Sequence, residues 1–307
     1  MTTEGGRAQL VRRSGLIMPV NNPRFVEKAA DRGADAIILD LEDSVPPAEK
    51  SNARRLVREA IPIAGRGGAD ILVRINKPRE LAVEDIDASV WPGLAGLALP
   101  KVESAAEIDA LEALVEAKER ERGLPVGSVA FRVSIETAQG VLRDEEIARS
   151  SPRIETLGIG TEDFTLDLGI EPTHEGWELF YAKARLVIVA RAAGIAPVGL
   201  LGSVAEFTDL AAFERSAVRA RELGYVGASG IHPAQIPILN RVFSPTEAQV
   251  AHARRVVEAY EAGVARGTAS VALDGKMVDI PVVDRARLVL ARAEAIAARE
   301  ARGTRPK

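Results

Sequence analysis

Eight short runs rich in Val, Ile and Leu recur along the chain, and each is followed by residues with helical spacing. They are Gly15–Val20, Ala36–Asp43, Asp70–Asn76, Gly96–Glu103, Phe131–Gln139, Thr156–Phe164, Ala196–Leu201 and Gly224–Pro233. Continuous apolar runs of this length suit parallel strands buried on both faces. The segments between them read as amphipathic helices at Pro23–Gly33, Pro47–Ile61, Ser104–Gly123, Trp177–Gly194 and Phe207–Gly224, several stopping at Gly. Two weaker ones lie near Glu84–Val90 and Asp144–Ser150. Eight strand–helix alternations favour a (β/α)8 TIM barrel over a doubly wound sheet.

The pattern changes after Pro233. Ser244-Pro-Thr-Glu247 reads as a capping box with Pro at the first helical position, opening a helix to about Ala265. A turn-rich piece, Ser270–Pro281, precedes an Ala/Arg/Glu helix to about Arg299, and Arg302–Lys307 reads as a frayed end. The expected organisation is a catalytic barrel over residues 1–240 and a helical extension over 241–307. At 307 residues the chain buries enough apolar surface to fold without disulfides or a structural metal.

Composition removes several function classes. There is no cysteine, so thiol nucleophiles, Cys-ligated zinc, iron–sulfur centres and disulfide frameworks are excluded. A net charge of −4 with 4% aromatic residues lacks the basic field and stacking rings of a nucleic-acid binder. No apolar run reaches membrane-spanning length, and the first residues lack the apolar core of a secretion signal. The expectation is a cytoplasmic protein with neither membrane nor nucleic-acid partner.

Functional groups of a TIM barrel gather where its strands end. Here the apolar runs close on Asp40-Leu-Glu42-Asp43, Arg74-Ile-Asn76, Pro100-Lys101-Val-Glu103, Glu136-Thr137 and Gly160-Thr161-Glu162-Asp163. Any one carboxylate there is ordinarily a solvated loop residue or a helix cap. Several converging on one axis would repel one another, and a cation relieves that. With no Cys and three scattered His (His174, His232, His252), the donors are all oxygen, which points to Mg²⁺ or Mn²⁺ rather than zinc. Glu136 and Asp163 each close a strand abruptly and are the expected ligands, with Glu42 and Asp43 holding metal-bound water. Arg74 suits a substrate carboxylate or carbonyl, or else a structural pair with Glu42 or Asp43.

Other signals weaken on inspection. Gly158-Ile-Gly160 lacks the third glycine of a dinucleotide fingerprint, since Asp163 stands there. Gly65-Arg-Gly-Gly68 precedes a strand and reads as a loop. Lys101 could be a Schiff-base lysine, but neighbouring carboxylates would keep it protonated. His232 could serve as acid or base, yet more often such a residue packs at a barrel rim.

The ordered segments GLIMPVNNPRFVEKAADRGADAIILDLEDSV, VRIN, LPKVES, IETAQGV, GIGTEDFTLDLG, GIHPAQI and DGKMVDIP resemble the HpcH/HpaI aldolase–citrate lyase β-subunit family, in its CitE-like and malyl-CoA lyase branch. The likeness runs from about Ser14 to Val289. It implies a barrel with a C-terminal lid, a homotrimer or homohexamer, and Mg²⁺-dependent carbon–carbon bond chemistry through an enolate. The implied substrate is a β-hydroxyacyl-CoA such as malyl- or citramalyl-CoA, giving acetyl-CoA and a 2-oxo acid. By matching motif, Glu136 and Asp163 correspond to metal ligands and Arg74 to the acid-holding arginine. Backbone amides around Gly160, Thr161, Glu162 and Asp163 correspond to substrate contacts, alongside Glu136, and Asp279 to the lid's acid/base. Ala228 stands where relatives usually carry a lysine, which leaves the acyl or CoA partner open. Arg24 and Lys28 are candidates for CoA phosphate. Alternatives are an aldolase acting on free 2-oxo acids and a non-catalytic ligand-binding subunit.

Overall fold

The computed structural model describes residues 10–173, 176–203 and 208–303. His174, Phe207 and residues 304–307, which enter the sequence reading, lie outside them. The chain divides into two compact units, one spanning Arg12–Val242 and one formed by the residues from Phe243 on with Leu10 and Val11.

All eight expected strands form in the first unit: β1 Ser14–Pro19, β2 Ala36–Asp40, β3 Asp70–Arg74, β4 Leu94–Leu99, β5 Ala130–Ile135, β6 Ile154–Ile159, β7 Ala196–Pro197 and β8 Ala228–Gly230. They make one parallel sheet in the order β7-β6-β5-β4-β3-β2-β1-β8. Its two ends meet. The Val226 N–H donates to the Pro197 carbonyl at 3.0 Å and the Gly199 N–H to the Gly227 carbonyl at 2.9 Å, so the sheet curls round as a TIM-type barrel. The shortness of β7 follows from its composition, because Pro197 has no N–H to give a ladder.

Alternation along the strands builds two apolar layers. Ile37, Leu39, Ile71, Val73, Leu97 and Leu99 face the surrounding helices and are almost wholly buried. Inside the ring, Ile17, Ala36, Ile38, Leu72 and Ala98 pack together on the β1–β4 side. The helices begin where side chains satisfy free N–H groups: Ser104, Thr137 and Asp209 each accept from the residue three further on. The weak third segment forms a full helix, Arg79–Ser89, and the weak fifth becomes two short ones, Ala138–Leu142 and Asp144–Arg149.

In the second unit, helices Glu247–Ala265 and Ile280–Gly303 pack through Ala253, Val256, Val283 and Ala286. Two details differ from the sequence reading. The capping box is Thr246 with Gln249, not Ser244 with Glu247, so Pro245 precedes the cap instead of opening the helix. The turn-rich piece is a hairpin, β9 Val271–Leu273 against β10 Lys276–Val278. Its Asp274-Gly275 corner has both φ angles positive, 48° and 74°, as a tight two-residue hairpin turn requires. No helix among the described residues is long and apolar enough to cross a membrane.

Candidate active site

The strand ends bring one charged cluster together. At the end of β2, Asp40 is fully buried and takes both prongs of Arg74, Nε and Nη2, at 2.7 Å each. It also accepts the Glu42 N–H at 2.9 Å and the Ser44 N–H at 3.0 Å, which fixes the turn carrying Glu42 and Asp43. Burial disfavours charge on Asp40, but Arg74, Ser44 and the Glu42 amide outweigh it and hold the carboxyl below its ordinary range. Asp40 closes an apolar run, and the sequence reading gave it no role.

Lys101 stands at the end of β4 with φ of 52°, a left-handed backbone that a side-chain-bearing residue rarely adopts. Its ammonium lies 2.6 Å from Glu42, 3.4 Å from Asp163, 3.6 Å from Asp43 and 3.8 Å from Glu136. Burial opposes its charge, yet the Glu42 hydrogen bond and the surrounding carboxylates raise its pKa above the ordinary lysine value. A Schiff-base lysine needs the neutral amine, so this environment speaks against that role. Arg74, paired with Glu42 and Asp43 as one of its two expected readings has it, and Lys101 supply part of the compensation that converging carboxylates require.

Compensation is incomplete. Asp40, Glu42, Asp43, Glu136 and Asp163 are five carboxylates, and among the described residues Arg74 and Lys101 pair with them directly, while the Lys50 ammonium, bonded to the Leu41 and Glu42 carbonyls, acts on Asp40, Glu42 and Asp43 from behind. The Glu42 carboxyl is raised, chiefly by burial, against the pull of Arg74 and Lys101. Glu136, 5% exposed, is pushed up to about 7: burial is the main cause, a Ser134 hydrogen bond and Lys101 oppose it, and Asp163 and Glu42 add to it. Glu136 lies directly against the backbone of Gly160. A Cβ at Gly160 would fall 2.7–2.9 Å from its Cγ, Cδ and Oε1, so the bare glycine lets the Glu136 side chain keep this position.

Gly160 leads into the helix Thr161–Leu168, whose first turn carries Glu162 and Asp163 and leaves unbonded N–H groups facing the site. Glu162 accepts a hydrogen bond from Ser203. Lys183, 1% exposed, reaches under this turn and donates to the Thr161 hydroxyl at 2.8 Å and to the Leu200 and Leu201 carbonyls at 2.8 and 2.9 Å. A cavity of about 260 Å³ opens here, lined among others by Arg74, Glu136, Gly160, Asp163, Arg132 and Ser229.

Other sequence candidates of the barrel unit do not line this cavity. Exposed His232 accepts the Ala234 N–H at its rim loop, and Arg24 and Lys28 are exposed on the helix Pro23–Ala29. Ala228 is 2% exposed and does not line the cavity, whereas Ser229 does, so the missing lysine falls on the outer face of β8. In the second unit, Asp279 caps the helix Ile280–Gly303, its Oδ1 accepting the Val282 N–H at 3.4 Å.

The model of the HpcH/HpaI aldolase/citrate lyase family matches residues 13–233, the whole barrel. The chain belongs to this family. A citrate lyase subunit beta of Leuconostoc mesenteroides subsp. cremoris is 39% identical over 93% of this chain and 94% of its own length. An L-malyl-CoA/beta-methylmalyl-CoA lyase of Cereibacter sphaeroides is 36% identical over 93% and 96%. Among solved structures, protein CitE from Mycobacterium tuberculosis, in complex with magnesium, acetoacetate and coenzyme A, matches with a TM-score of 0.72 and 27% identity over 92% of this chain and 97% of its own. A citrate lyase from Burkholderia xenovorans LB400 shares the fold at TM-score 0.81, with 22% identity over 94% and 93%. Like its HpcH/HpaI relatives, the chain is a carbon–carbon lyase.

Proposed function

We propose that this lyase works with Mg²⁺ held by Glu136 and Asp163, and that it cleaves or forms a β-hydroxyacyl-CoA such as malyl- or citramalyl-CoA, with acetyl-CoA and a 2-oxo acid on the other side. The observation that carries the proposal is the convergence of these two carboxylates. Both stand within 4 Å of one ammonium nitrogen, so both can reach a single cation. The raised Glu136 carboxyl fits a site short of positive charge. The donors fit the ion: two carboxylates and no softer ligand suit Mg²⁺, which leaves its other positions to water and substrate. Among the described residues no three His, Cys, Asp or Glu side chains form a cage of their own. Relatives named as malyl-CoA lyase and as a magnesium and coenzyme A complex support the ion and the thioester.

When bound, the ion supplies Lewis-acid charge to the oxygens of the 2-oxo acid. Arg74 has five N–H donors, and the Asp40 fork takes two, so N–H groups on Nη1 and Nη2 remain for the acid's oxygens. The free N–H groups at the start of Thr161–Leu168 bind the same carboxylate, with Glu162 and Thr161 held in place by Ser203 and Lys183. Asp279, from a neighbouring copy in a trimer or hexamer, moves the proton at the acetyl-CoA methyl carbon.

The test is 2-oxo acid release from malyl- and citramalyl-CoA with and without Mg²⁺. Wild-type protein releases oxo acid only with the ion, and Glu136→Gln and Asp163→Asn do not. Full turnover in either variant refutes the assignment. Oxo-acid exchange without any binding of millimolar CoA would instead favour a free-acid aldolase.

A further inference from the structure

The two expected metal ligands already share a cation of the chain itself. The Lys101 ammonium is 3.8 Å from Glu136 Oε2 and 3.4 Å from Asp163 Oδ1, and among the described residues it is the cation within 4 Å of both. Arg74 pairs instead with Asp40, Glu42 and Asp43. Asp43, Glu136 and Asp163 line the cavity, whereas Glu42 and Lys101 do not. An ion entering from the cavity therefore meets carboxylates that are also held by a positive charge outside it.

The backbone keeps the lysine there under strain. Its φ of 52° is one that glycine adopts freely and a side-chain-bearing residue does not. Two hydrogen bonds pin this turn: Lys77 Nζ donates to the Lys101 carbonyl at 2.6 Å, and the Val102 N–H donates to the Ser134 carbonyl of β5 at 3.1 Å. Lys77 is itself tied to Glu107 at 2.6 Å. The loop at Glu42 has other supports. Arg74 Nη1 stands 2.8 Å from the Glu42 oxygen that Lys101 does not take, and Asp40 accepts the Glu42 and Ser44 N–H groups. What Lys101 adds is a fixed positive charge among four carboxylates from the ends of β2, β5 and β6. Before an ion binds, that charge offsets the repulsion among the carboxylates. Once an ion binds, the same charge repels it across the ligands they share.

We propose that Lys101 is a positioning residue and the metal's tethered rival: it holds Glu136 and Asp163 together without Mg²⁺ and keeps the affinity for Mg²⁺ low. This rests on the reading of Glu136 and Asp163 as the ion's ligands. A site built this way keeps its shape when the ion leaves.

The test is calorimetric titration of the metal-depleted protein with magnesium chloride. Lys101→Gln keeps a hydrogen-bond donor for Glu42 and drops the charge. It binds Mg²⁺ at least ten-fold more tightly than wild type and gains a larger thermal shift from it. Lys101→Arg keeps the charge and stays within three-fold of wild type. A residue that only braced the loop would move the affinity the other way. Unchanged or weaker binding in Lys101→Gln overturns the proposal, and so does Lys101→Arg binding as tightly as Lys101→Gln. Should Lys101→Gln unfold on depletion, recovery of the fold with Mg²⁺ supports the proposal and failure to recover overturns it. Glu136→Gln separates the two readings. If it abolishes wild-type binding while Lys101→Gln shows no tightening, the ligand assignment stands and this one falls. If Glu136→Gln binds Mg²⁺ as wild type does, or if neither wild type nor Lys101→Gln binds it, both fall.

Discussion

Asp40 and Arg74 meet as a two-pronged pair, each carboxylate oxygen accepting one guanidinium N–H at 2.7 Å, with the carboxylate fully buried and the guanidinium reaching the cavity. The pair settles which way Arg74 faces. Its fork is held from behind, and the third nitrogen, Nη1, is 2.8 Å from Glu42. In the proposed reaction Arg74 has for a ligand only the N–H groups that Asp40 does not use, and its aim depends on a residue that does not line the cavity.

Asp40→Asn should show this. It removes the charge that pairs Arg74 and weakens the turn at Glu42 and Ser44, while Arg74 keeps some access to solvent. Breaking one partner of a buried pair costs about 3 kcal/mol, and denaturant unfolding should register a loss of that order. Catalytic efficiency should fall at least ten-fold, and Arg74→Lys should fall similarly, because a point charge cannot use both oxygens of Asp40. Unchanged stability in Asp40→Asn would mean the pair is incidental.

Gly160 makes a sharper claim. A single methyl there would intrude to 2.7 Å from the Glu136 side chain, and the nearest way out moves the carboxylate. Gly160→Ala should fold and yet lose turnover by about 10²-fold, the scale of an ångström-level misplacement, together with its thermal shift on adding Mg²⁺. Retention of both responses would show that Glu136 has freedom to retreat.

The barrel was legible because its information is local: runs such as AIILD and DILVR are apolar on both sides, and each is followed by helical spacing. The strand ends were overrun. Leu99-Pro-Lys101-Val continues an apolar rhythm, and only the left-handed backbone at Lys101 shows that the strand has stopped. Clustering of strand-end carboxylates was likewise readable from barrel geometry alone. Their partners were not. Lys101 among Glu42, Glu136 and Asp163 joins three loops, and Lys183 meets Thr161 and Leu200 only once two strand ends close on one helix.

Lys183 gives a pH dependence. Burial pushes its ammonium down to about 7, against the pull of Glu178 and Glu162. Below pH 7 folded and unfolded chains both carry the proton, and the burial penalty is present in full. Between about 7 and the ordinary 10.5 only the unfolded chain binds it, so stability rises with pH. Measured against Lys183→Met, wild-type unfolding free energy should be level below pH 7 and climb by up to about 1.4 kcal/mol per unit above it. A level difference to pH 9 would show that its three oxygen acceptors keep Lys183 charged.

Asp279 is a helix cap and, in the proposed reaction, the acid/base, and one pair of substitutions separates the two. As a cap it accepts the Val282 N–H, and asparagine does this about as well as aspartate, while alanine costs about 1 kcal/mol. As an acid/base it needs an ionisable carboxyl, which asparagine lacks. Asp279→Asn should therefore match wild type in thermal unfolding and lose most of its kcat, whereas Asp279→Ala should lose both. An active Asp279→Asn would leave the residue as a helix cap alone, and the proton would have to be moved by a group on the barrel.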